Sequence, residues 1–357
     1  MTCKYFIPGP TWVRPEILQE MTRPMIGHRS AEFRDLFLRI AADLKPLFGT
    51  AQDVFVATCS GTAIMEAALL NTAKQRVLVT TCGAFSERWM AIAESLGLEV
   101  DRLDAGWGHA VDAEELADHL GSRRAHYDVV TITHNETSTG ITNDVASLAR
   151  AVRNESPDTL VLVDAVSSLG GIPVRFDEWG LDVCLASVQK GLALPPGITV
   201  VATSQQALAR AQKVPYRGTY FDFLSYKKNA DDGSVPSTPS IPHFYALAAQ
   251  LEQIVRGEGL EARYRRHEAM RDLTLQRTAR FAKIAGDRSH ASATVTALEP
   301  VMSPDDLRNA MKKRGYTLGG GYGQWKSSTF RIGHMGDMTV GDVSAMLDVL
   351  EEVASRA

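Results

Sequence analysis

A lysine and an aspartate each stand where a strand-like run of the chain ends. Lys190 follows the apolar run 181–186 and lies in a turn rich in glycine and proline that extends to Gly197. A lysine held in such a fixed, partly desolvated position has a lowered pKa and a free lone pair, so its amine can form a Schiff base with a carbonyl compound. An ordinary surface-loop lysine would show the same local pattern, and position alone does not decide between the two.

Asp164 ends a second run, 159–163, which is apolar and rich in β-branched residues, as is typical of a buried parallel strand. A carboxylate at that point is costly unless it meets a cation. The protonated ring nitrogen of pyridoxal phosphate is such a cation in the enzymes that use this cofactor. Together with Lys190, Asp164 therefore indicates a pyridoxal phosphate site; the alternative is that Asp164 caps a following helix.

Strand-like and helical patterns alternate along the first two thirds of the chain, and long helical patterns follow from Phe244 to Ala285. The predicted strands lie at residues 54–57, 77–80, 128–133, 160–164, 183–186 and 198–202. This alternation indicates a parallel sheet in an α/β domain, and ligands bind such sheets beyond the carboxyl ends of the strands. The residues expected to converge there are Ser60, Phe85, Thr137, Asp164 and Lys190.

Ser60 is predicted to cap the helix that begins with Gly61 and Thr62. The free backbone N–H groups at a helix start and the helix dipole both favour an anion, so this turn is the predicted phosphate site. A plain helix start would carry the same three residues. His134, directly after the run 128–133, fits a structural role as well as a catalytic one.

Three motifs occur in order along the chain: Val-Asp-Ala-Val-Ser-Ser-Leu-Gly-Gly at 163–171, Ser-Val-Gln-Lys at 187–190 and Phe-Arg-Ile-Gly at 330–333. With Phe-Ile-Pro-Gly-Pro-Thr at 6–11 they resemble the class V aminotransferases, in pattern closest to the serine–pyruvate and alanine–glyoxylate group. The resemblance implies a fold type I transferase with a large α/β domain, a mainly parallel seven-stranded sheet and a smaller C-terminal α+β domain. The implied division is an N-terminal segment 1–20, a large cofactor domain 21–245, and a linking helix with the small domain at 246–357.

The resemblance also implies a role for each matching residue. The residues expected to contact pyridoxal 5′-phosphate are Ser60, Gly61, Thr62, Phe85, Thr137, Asp164, Gln189 and Lys190, with Thr238 reaching the phosphate of the neighbouring subunit. Phe85 stands where the family often has a tryptophan that stacks on the ring. Val235 stands where the family often has a tyrosine, so this chain lacks the tyrosine of one cross-subunit phosphate contact.

For the substrate, the resemblance implies that Arg331 binds the α-carboxylate. His28 and Arg29 fall near the expected entrance to the site, where a basic pair could meet an anionic tail; a solvated loop is the other interpretation. The implied activity moves an amino group from an alanine- or serine-type donor to a 2-oxo acid such as glyoxylate or pyruvate. A phosphoserine-type aminotransferase is an alternative because His28-Arg29 resembles the basic pair that those enzymes use.

Two other interpretations use different chemistry. A lyase or desulfurase on the same fold would need a mobile cysteine in a late loop, and the last of the four cysteines is Cys184. A binding protein without catalysis would usually have lost Lys190 or Asp164, and both are present. The glycines of the run 319–323 lack the G-x-G-x-x-G spacing of a dinucleotide loop, so a flexible loop before Arg331 is expected there.

The composition of the chain limits which other classes of function are possible. The 357 residues suffice for two domains, and a net charge of −4 gives no footprint for nucleic acid or an anionic membrane. The cysteines show no C-x-x-C and no metal-ligand spacing, which favours a reducing cytoplasm and no metal site. No apolar run approaches the length of a membrane span or a signal sequence. A homodimer with shared active sites is expected, with an apolar helical stripe from Phe33 to Leu47 in the core or at the interface.

Overall fold

A seven-stranded sheet forms the centre of the protein, of which the computed structural model describes residues 4–122 and 126–355. In spatial order its strands are Asp53–Ala57, Thr199–Thr203, Val183–Ser187, Leu160–Asp164, Val129–Thr133, Arg76–Thr81 and Glu99–Asp104. Strand Thr199–Thr203 runs antiparallel to both neighbours, and the other pairings are parallel. The prediction of a mainly parallel seven-stranded sheet is confirmed.

Helices cover both faces of this sheet because its central strands are apolar on both sides. Within Leu160–Asp164, Leu160 and Leu162 pack into one hydrophobic core, whereas Val161 and Val163 pack into the other. The helices described between residues 15 and 252 are Pro15–Glu20, Ala31–Phe48, Gly61–Thr72, Ala84–Ser95, Ala113–Ser122, Val145–Glu155, Gln205–Ala211, Phe223–Asp231 and Ile241–Glu252. Successive side chains of a strand point to opposite faces of the sheet, so the position of a residue in the sequence decides on which face it lies at the end of its strand.

A five-stranded sheet lies in the C-terminal part. Its order is Lys4–Phe6, Tyr316–Gly320, Phe330–Gly333, Val295–Pro300 and Ala282–Ile284. The remaining elements are a π turn Gln253–Glu258, the helices Leu260–Thr278, Pro304–Lys313 and Val340–Ala354, the short 3-10 turns Arg288–His290 and Gly323–Trp325, and a small hairpin of Asn135–Glu136 with Ile141–Thr142. The expected smaller α+β unit is therefore present, while the exact domain boundaries stay a prediction.

Some local predictions differ from the structure. The helical pattern expected from Phe244 to Ala285 is broken by the π turn Gln253–Glu258 and ends at Thr278, before strand Ala282–Ile284. Gly319 and Gly320 end strand Tyr316–Gly320, so this part of the glycine run is paired with Phe330–Gly333 and is not a free loop.

Cysteines and apolar helices complete the description. Cys59, Cys82 and Cys184 are free thiols, and Cys3 lies outside the described residues. Among the helices of the described chain, none combines the length and apolar character needed to cross a membrane.

Candidate active site

A cavity of about 280 Å³ lies at the carboxyl ends of the parallel strands. Eight of the predicted site residues line it: Ser60, Gly61, Thr62, Phe85, Thr137, Asp164, Gln189 and Lys190. These residues belong to several separate turns, and each turn follows a strand or precedes a helix. The parallel arrangement brings these turns to one edge of the sheet, which is why residues far apart in sequence meet there.

Lys190 is held inside this cavity from two sides. Its Nζ donates a hydrogen bond to the carbonyl oxygen of Pro8, and Gly9 packs against its aliphatic chain so closely that an added Cβ would lie 2.5 Å from Lys190 Cδ. Burial, aided by the charge of Arg331 and opposed by that of Asp164, lowers the pKa of Lys190 to about 8. This lysine is fixed and partly desolvated, in contrast to a lysine of a solvated loop.

Asp164 is 5% exposed, and its Oδ1 accepts a hydrogen bond from the backbone N–H of Val166 at 2.7 Å. Burial is the main cause that raises the pKa of Asp164 to about 6, with the Val166 N–H acting against it. No helix begins in the described segment 165–182, so the interpretation of Asp164 as a helix cap is wrong. The carboxylate instead faces the cavity, where a cation would stabilise its ionised form.

The start of helix Gly61–Thr72 forms one end of the cavity. Ser60 caps the helix by accepting from the N–H of Ala63 at 3.4 Å. A Cβ added to Gly61 would lie 2.6 Å from Ser187 Oγ, so a glycine is required for this close approach. The Oγ of Ser187 is buried and has no hydrogen-bond partner among the described residues. A buried hydroxyl without a partner is costly, and an anion at the helix start would satisfy it.

Thr137 belongs to a buried hydrogen-bond network behind the cavity. Its Oγ1 donates to Ser167 Oγ at 2.8 Å, and Ser167 Oγ donates to the carbonyl oxygen of Asn135 at 2.8 Å. The side-chain amide of Asn135 in turn reaches Thr294 Oγ1 at 3.2 Å. The network fixes the rotamer of Thr137 and so the position of its hydroxyl at the cavity wall.

Phe85 is positioned by a buried acid that sequence reasoning missed. The carboxylate of Glu136 accepts from the backbone N–H groups of Phe85 at 3.0 Å and Ser86 at 2.8 Å, and therefore caps helix Ala84–Ser95. The Phe85 ring stacks on Tyr322 with centroids 5.3 Å apart and planes inclined by 19°. The ring that lines the cavity is thus fixed by both its backbone and its outer face.

Arg88, also missed, adds a cation to the cavity wall. Its Nη1 donates to Thr62 Oγ1 at 3.1 Å, and its guanidinium carbon lies 4.8 Å from the centre of the Phe85 ring. Two signals in the sequence pointed to missed residues: Arg88 falls one helical turn after Phe85, and Ser187 occupies the same strand face as Val183 and Leu185 at a strand end.

Arg331 lies behind the cavity and is 8% exposed. Its Nε donates to the carbonyl oxygen of Gly320 at 2.8 Å and its Nη1 to that of Thr137 at 3.0 Å. Burial lowers the pKa of Arg331 to about 10, against the opposing charge of Glu136. Within residues 4–122 and 126–355 it forms no ion pair, and it is not among the residues that line the cavity.

Besides Arg331, three further predicted residues do not line this cavity. Thr238 and Arg29 are exposed and His28 is half-buried, and none of them lines the cavity of its own chain. His134 is buried, lies edge-on to Trp179 with ring centroids 5.6 Å apart, and does not line the cavity either, which fits a structural role. Within the described chain, no group of three or more His, Cys, Asp or Glu side chains could hold a metal ion.

Comparison with known proteins agrees with this geometry. Residues 17–322 match the family Aminotransferase class-V. The chain belongs to this family. A crystal structure of an aspartate aminotransferase of subgroup IV from Thermus thermophilus is similar to this class-V aminotransferase with a TM-score of 0.90 and 31% identity, over 99% of each chain. The fold is therefore that of the fold type I pyridoxal-phosphate-dependent aminotransferases.

Two sequence relatives cover nearly the whole chain. The class-V aminotransferase is 36% identical to a protein of Synechococcus sp. (strain PCC 6716) called soluble hydrogenase, small subunit, over 98% of this chain and 92% of the relative. It is 35% identical to serine–glyoxylate aminotransferase of Methylorubrum extorquens, over 93% of this chain and 86% of the relative. The predicted enzyme class, an aminotransferase, is confirmed.

Proposed function

We propose that this class-V aminotransferase uses pyridoxal 5′-phosphate to move an amino group between a small donor of the alanine or serine type and a 2-oxo acid such as glyoxylate or pyruvate. The observation that carries the proposal is the convergence of Lys190 and Asp164 in one cavity, where burial lowers the pKa of the lysine and raises that of the acid. Perturbed acid and base groups that share a cavity are typical of catalytic sites.

The residues present fit this cofactor. The backbone N–H groups at Gly61 and Thr62 and the unpartnered hydroxyl of Ser187 would hold its phosphate at the start of helix Gly61–Thr72. Ser60 forms the cap of the same turn, and Gln189 lines the cavity beside Lys190.

Three side chains would contact the ring. Asp164 would pair with the protonated ring nitrogen, which repays the cost of burying its carboxylate. Phe85 offers a fixed aromatic face, smaller than a tryptophan would be, and Thr137 offers a hydroxyl whose position its network fixes. When bound, the cofactor withdraws electrons from the substrate and so acidifies the hydrogen on its Cα.

Lys190 would have two tasks. Its Nζ would hold the cofactor through the cofactor's aldehyde carbon before the donor is bound. Once released, the same amine would move a proton between the substrate Cα and the C4′ atom of the cofactor. A pKa of about 8 leaves part of the amine neutral near neutral pH, which a base needs. The carbonyl oxygen of Pro8 orients the amine, and Gly9, which has no side chain, allows the backbone to lie close against the side chain of Lys190.

Arg331 would bind the α-carboxylate that amino and 2-oxo acids share. Its two hydrogen bonds to the carbonyl oxygens of Gly320 and Thr137 hold the guanidinium plane fixed, and its Nη2 has no hydrogen-bond partner among the described residues. A planar guanidinium suits a carboxylate better than a point charge does. The similarity to the serine–glyoxylate aminotransferase of M. extorquens supports the choice of substrates.

The alternatives receive no support from a specific contact. A phosphoserine-type activity would rest on His28 and Arg29, which do not line the cavity of their own chain. A desulfurase would need a cysteine near the cavity, and Cys59, Cys82 and Cys184 are not among the residues that line it.

The test is covalent trapping. Added pyridoxal phosphate should give the protein a visible absorbance band, and reduction with borohydride followed by peptide mapping should find the pyridoxyl group on Lys190. The variant Lys190→Ala is the control and should trap none. An adduct on another lysine, or none, would overturn the assignment. A screen of amino donors and 2-oxo acceptors then tests the substrate choice, with phosphoserine included.

We further propose a cytoplasmic homodimer in which Thr238 reaches the phosphate bound by the partner subunit. The exposure of Thr238 and its absence from the cavity of its own chain support a contact with a second subunit, and the free thiols fit a reducing compartment. Light scattering beside an activity assay tests the dimer, since a fully active monomer at nanomolar concentration would contradict it. Cell fractionation tests the compartment.

A further inference from the structure

Arg263 is a buried cation that does not line the cavity but joins its two main turns. The side chain is 1% exposed and extends from helix Leu260–Thr278. Its Nε donates to the carbonyl oxygen of Gly170 at 2.8 Å, and its Nη2 donates to that of Gly191 at 2.7 Å. Gly170 belongs to the turns that follow Asp164, and Gly191 is the residue next to Lys190.

The two turns are in direct backbone contact at this point. A Cβ on Gly191 would collide with the carbonyl oxygen of Leu169, and a Cβ on Gly170 would lie 3.2 Å from the carbonyl oxygen of Gly191. Two carbonyl oxygens that approach one region from adjacent turns repel each other unless a donor lies between them. The guanidinium supplies two coplanar donors and so fixes the separation of the turns.

The charge of Arg263 is compensated on its other side. Its Nη1 donates to Glu258 Oε2 at 2.9 Å, and Nη1 and Nη2 each donate to Asp337 Oδ1 at 3.1 Å. Asp337 is further held by Arg14 Nε at 2.7 Å. The acids neutralise the buried cation, so Nε serves Gly170 alone, while the two hydrogens of Nη2 serve Gly191 and Asp337 together.

We propose that Arg263 is a positioning residue of the active site, whose fork sets the distance between the turn after Asp164 and the turn that carries Lys190. Its catalytic meaning rests on the proposed role of Lys190. Lysine cannot replace it, because a single ammonium group lacks the rigid pair of donors that reaches two carbonyl oxygens in one plane. Loss of the fork lets the two turns separate and admits water around the Lys190 amine.

The matched control is Arg277, which lies further along the same helix, Leu260–Thr278. Its Nε and Nη2 donate to Glu351 at 2.8 and 2.7 Å, and its Nη1 donates to the carbonyl oxygen of Ser344 at 3.2 Å, so none of these partners belongs to the turns after Asp164 and Lys190. Arg277→Lys should therefore lose a two-donor fork and cost stability as Arg263→Lys does, without moving the Lys190 turn.

The experiment measures the pKa of the Lys190 amine in the cofactor-free protein by competitive acetylation over a pH series with peptide mapping. Arg263→Lys should raise that pKa above the value of about 8 in the parent protein, by roughly half a unit or more, because desolvation weakens. Arg277→Lys should leave it unchanged. In the loaded enzyme, Arg263→Lys should lower kcat on the order of tenfold with little change in KM, as expected when a reacting group is misplaced.

Equal loss of stability in both variants, with the Lys190 pKa unchanged in both, would overturn the proposal and leave Arg263 a residue of structural importance only. If Arg263→Lys does not fold, the same titration is made on Arg263→Gln, whose amide can donate to one carbonyl oxygen; an unchanged Lys190 pKa there also overturns it. The acetylation readout needs neither cofactor nor transamination, so it distinguishes failure of this proposal from failure of the proposed function.

Discussion

Replacement of Lys190 by methionine should stabilise the cofactor-free protein near neutral pH. Burial lowers the pKa of this amine from 10.5 to about 8 in the folded protein. Below pH 8 the lysine is protonated in both the folded and the unfolded chain, and the folded state carries the full cost of the buried charge. Between pH 8 and 10.5 only the unfolded chain keeps the proton, so stability rises with pH, and above 10.5 the cost is gone.

The size of the effect follows from the shift. The difference in pKa corresponds to a cost of up to about 3 kcal/mol, an upper value because Lys190 keeps some contact with water in the cavity. Methionine also forfeits the hydrogen bond from Nζ to Pro8, worth about 1 kcal/mol. Lys190→Met should therefore raise the free energy of unfolding by about 2 kcal/mol at pH 7, and this gain should disappear by about pH 10.

Urea unfolding of the cofactor-free proteins at pH 7 and pH 10 measures this double difference, in which the titration of groups that do not interact with Lys190 cancels. The control is Lys213→Met, because Lys213 is exposed; it should change stability by less than about 0.5 kcal/mol at either pH. A gain from Lys190→Met that is the same at both pH values would refute the reasoning, since it would show that the amine is not held in a poorly hydrated position.

The remaining predictions concern the wall of the cavity. Gly9→Ala should abolish borohydride trapping on Lys190, because its Cβ would lie 2.5 Å from Lys190 Cδ and because alanine disfavours the φ of +117° at this position; normal trapping yields would contradict the contact. Ser187→Ala should weaken binding of pyridoxal phosphate roughly tenfold and leave binding of pyridoxal unchanged. The control Ser168→Ala removes another buried hydroxyl that has no partner among the described residues and does not line the cavity, and it should change neither affinity. Equal losses of affinity in both variants would remove Ser187 from the phosphate site. Arg331→Lys should lower kcat/KM by roughly ten- to a hundredfold for amino and 2-oxo acids alike, with the cofactor absorbance unchanged; unchanged kinetics per folded molecule would show that it only supports the small sheet.

The turns after the strands were predictable from sequence because their logic is local. A buried strand ends where a polar residue follows an apolar run, and parallel strands bring their carboxyl ends to one edge. Asp164, Lys190 and Ser60 were found in this way, and all three line one cavity. Thr137 and Phe85 were also expected at the strand ends, but their roles were assigned by resemblance; both line the same cavity.

Contacts between distant segments could not be read in the same way. Glu136 caps a helix that begins far from it in sequence, and nothing near Glu136 in the sequence indicates which N–H groups it accepts from. Strand Lys4–Phe6 has three residues and pairs in parallel with Tyr316–Gly320 from the other end of the chain. Strand Glu99–Asp104 was missed because it is an edge strand whose charged, partly exposed residues hide the apolar pattern.

The two sheets contribute different halves of the candidate site. The ends of the large sheet supply Lys190 and Asp164, whereas Arg331 belongs to strand Phe330–Gly333 of the small sheet. The hydrogen bond from Arg331 Nη1 to the carbonyl oxygen of Thr137, at 3.0 Å, is one of those that join the two halves. If Arg331 binds the substrate carboxylate and Thr137 contacts the cofactor ring, as proposed, the position of the substrate and the position of the ring would both depend on the backbone of Thr137. A shift of the small sheet would then disturb both together.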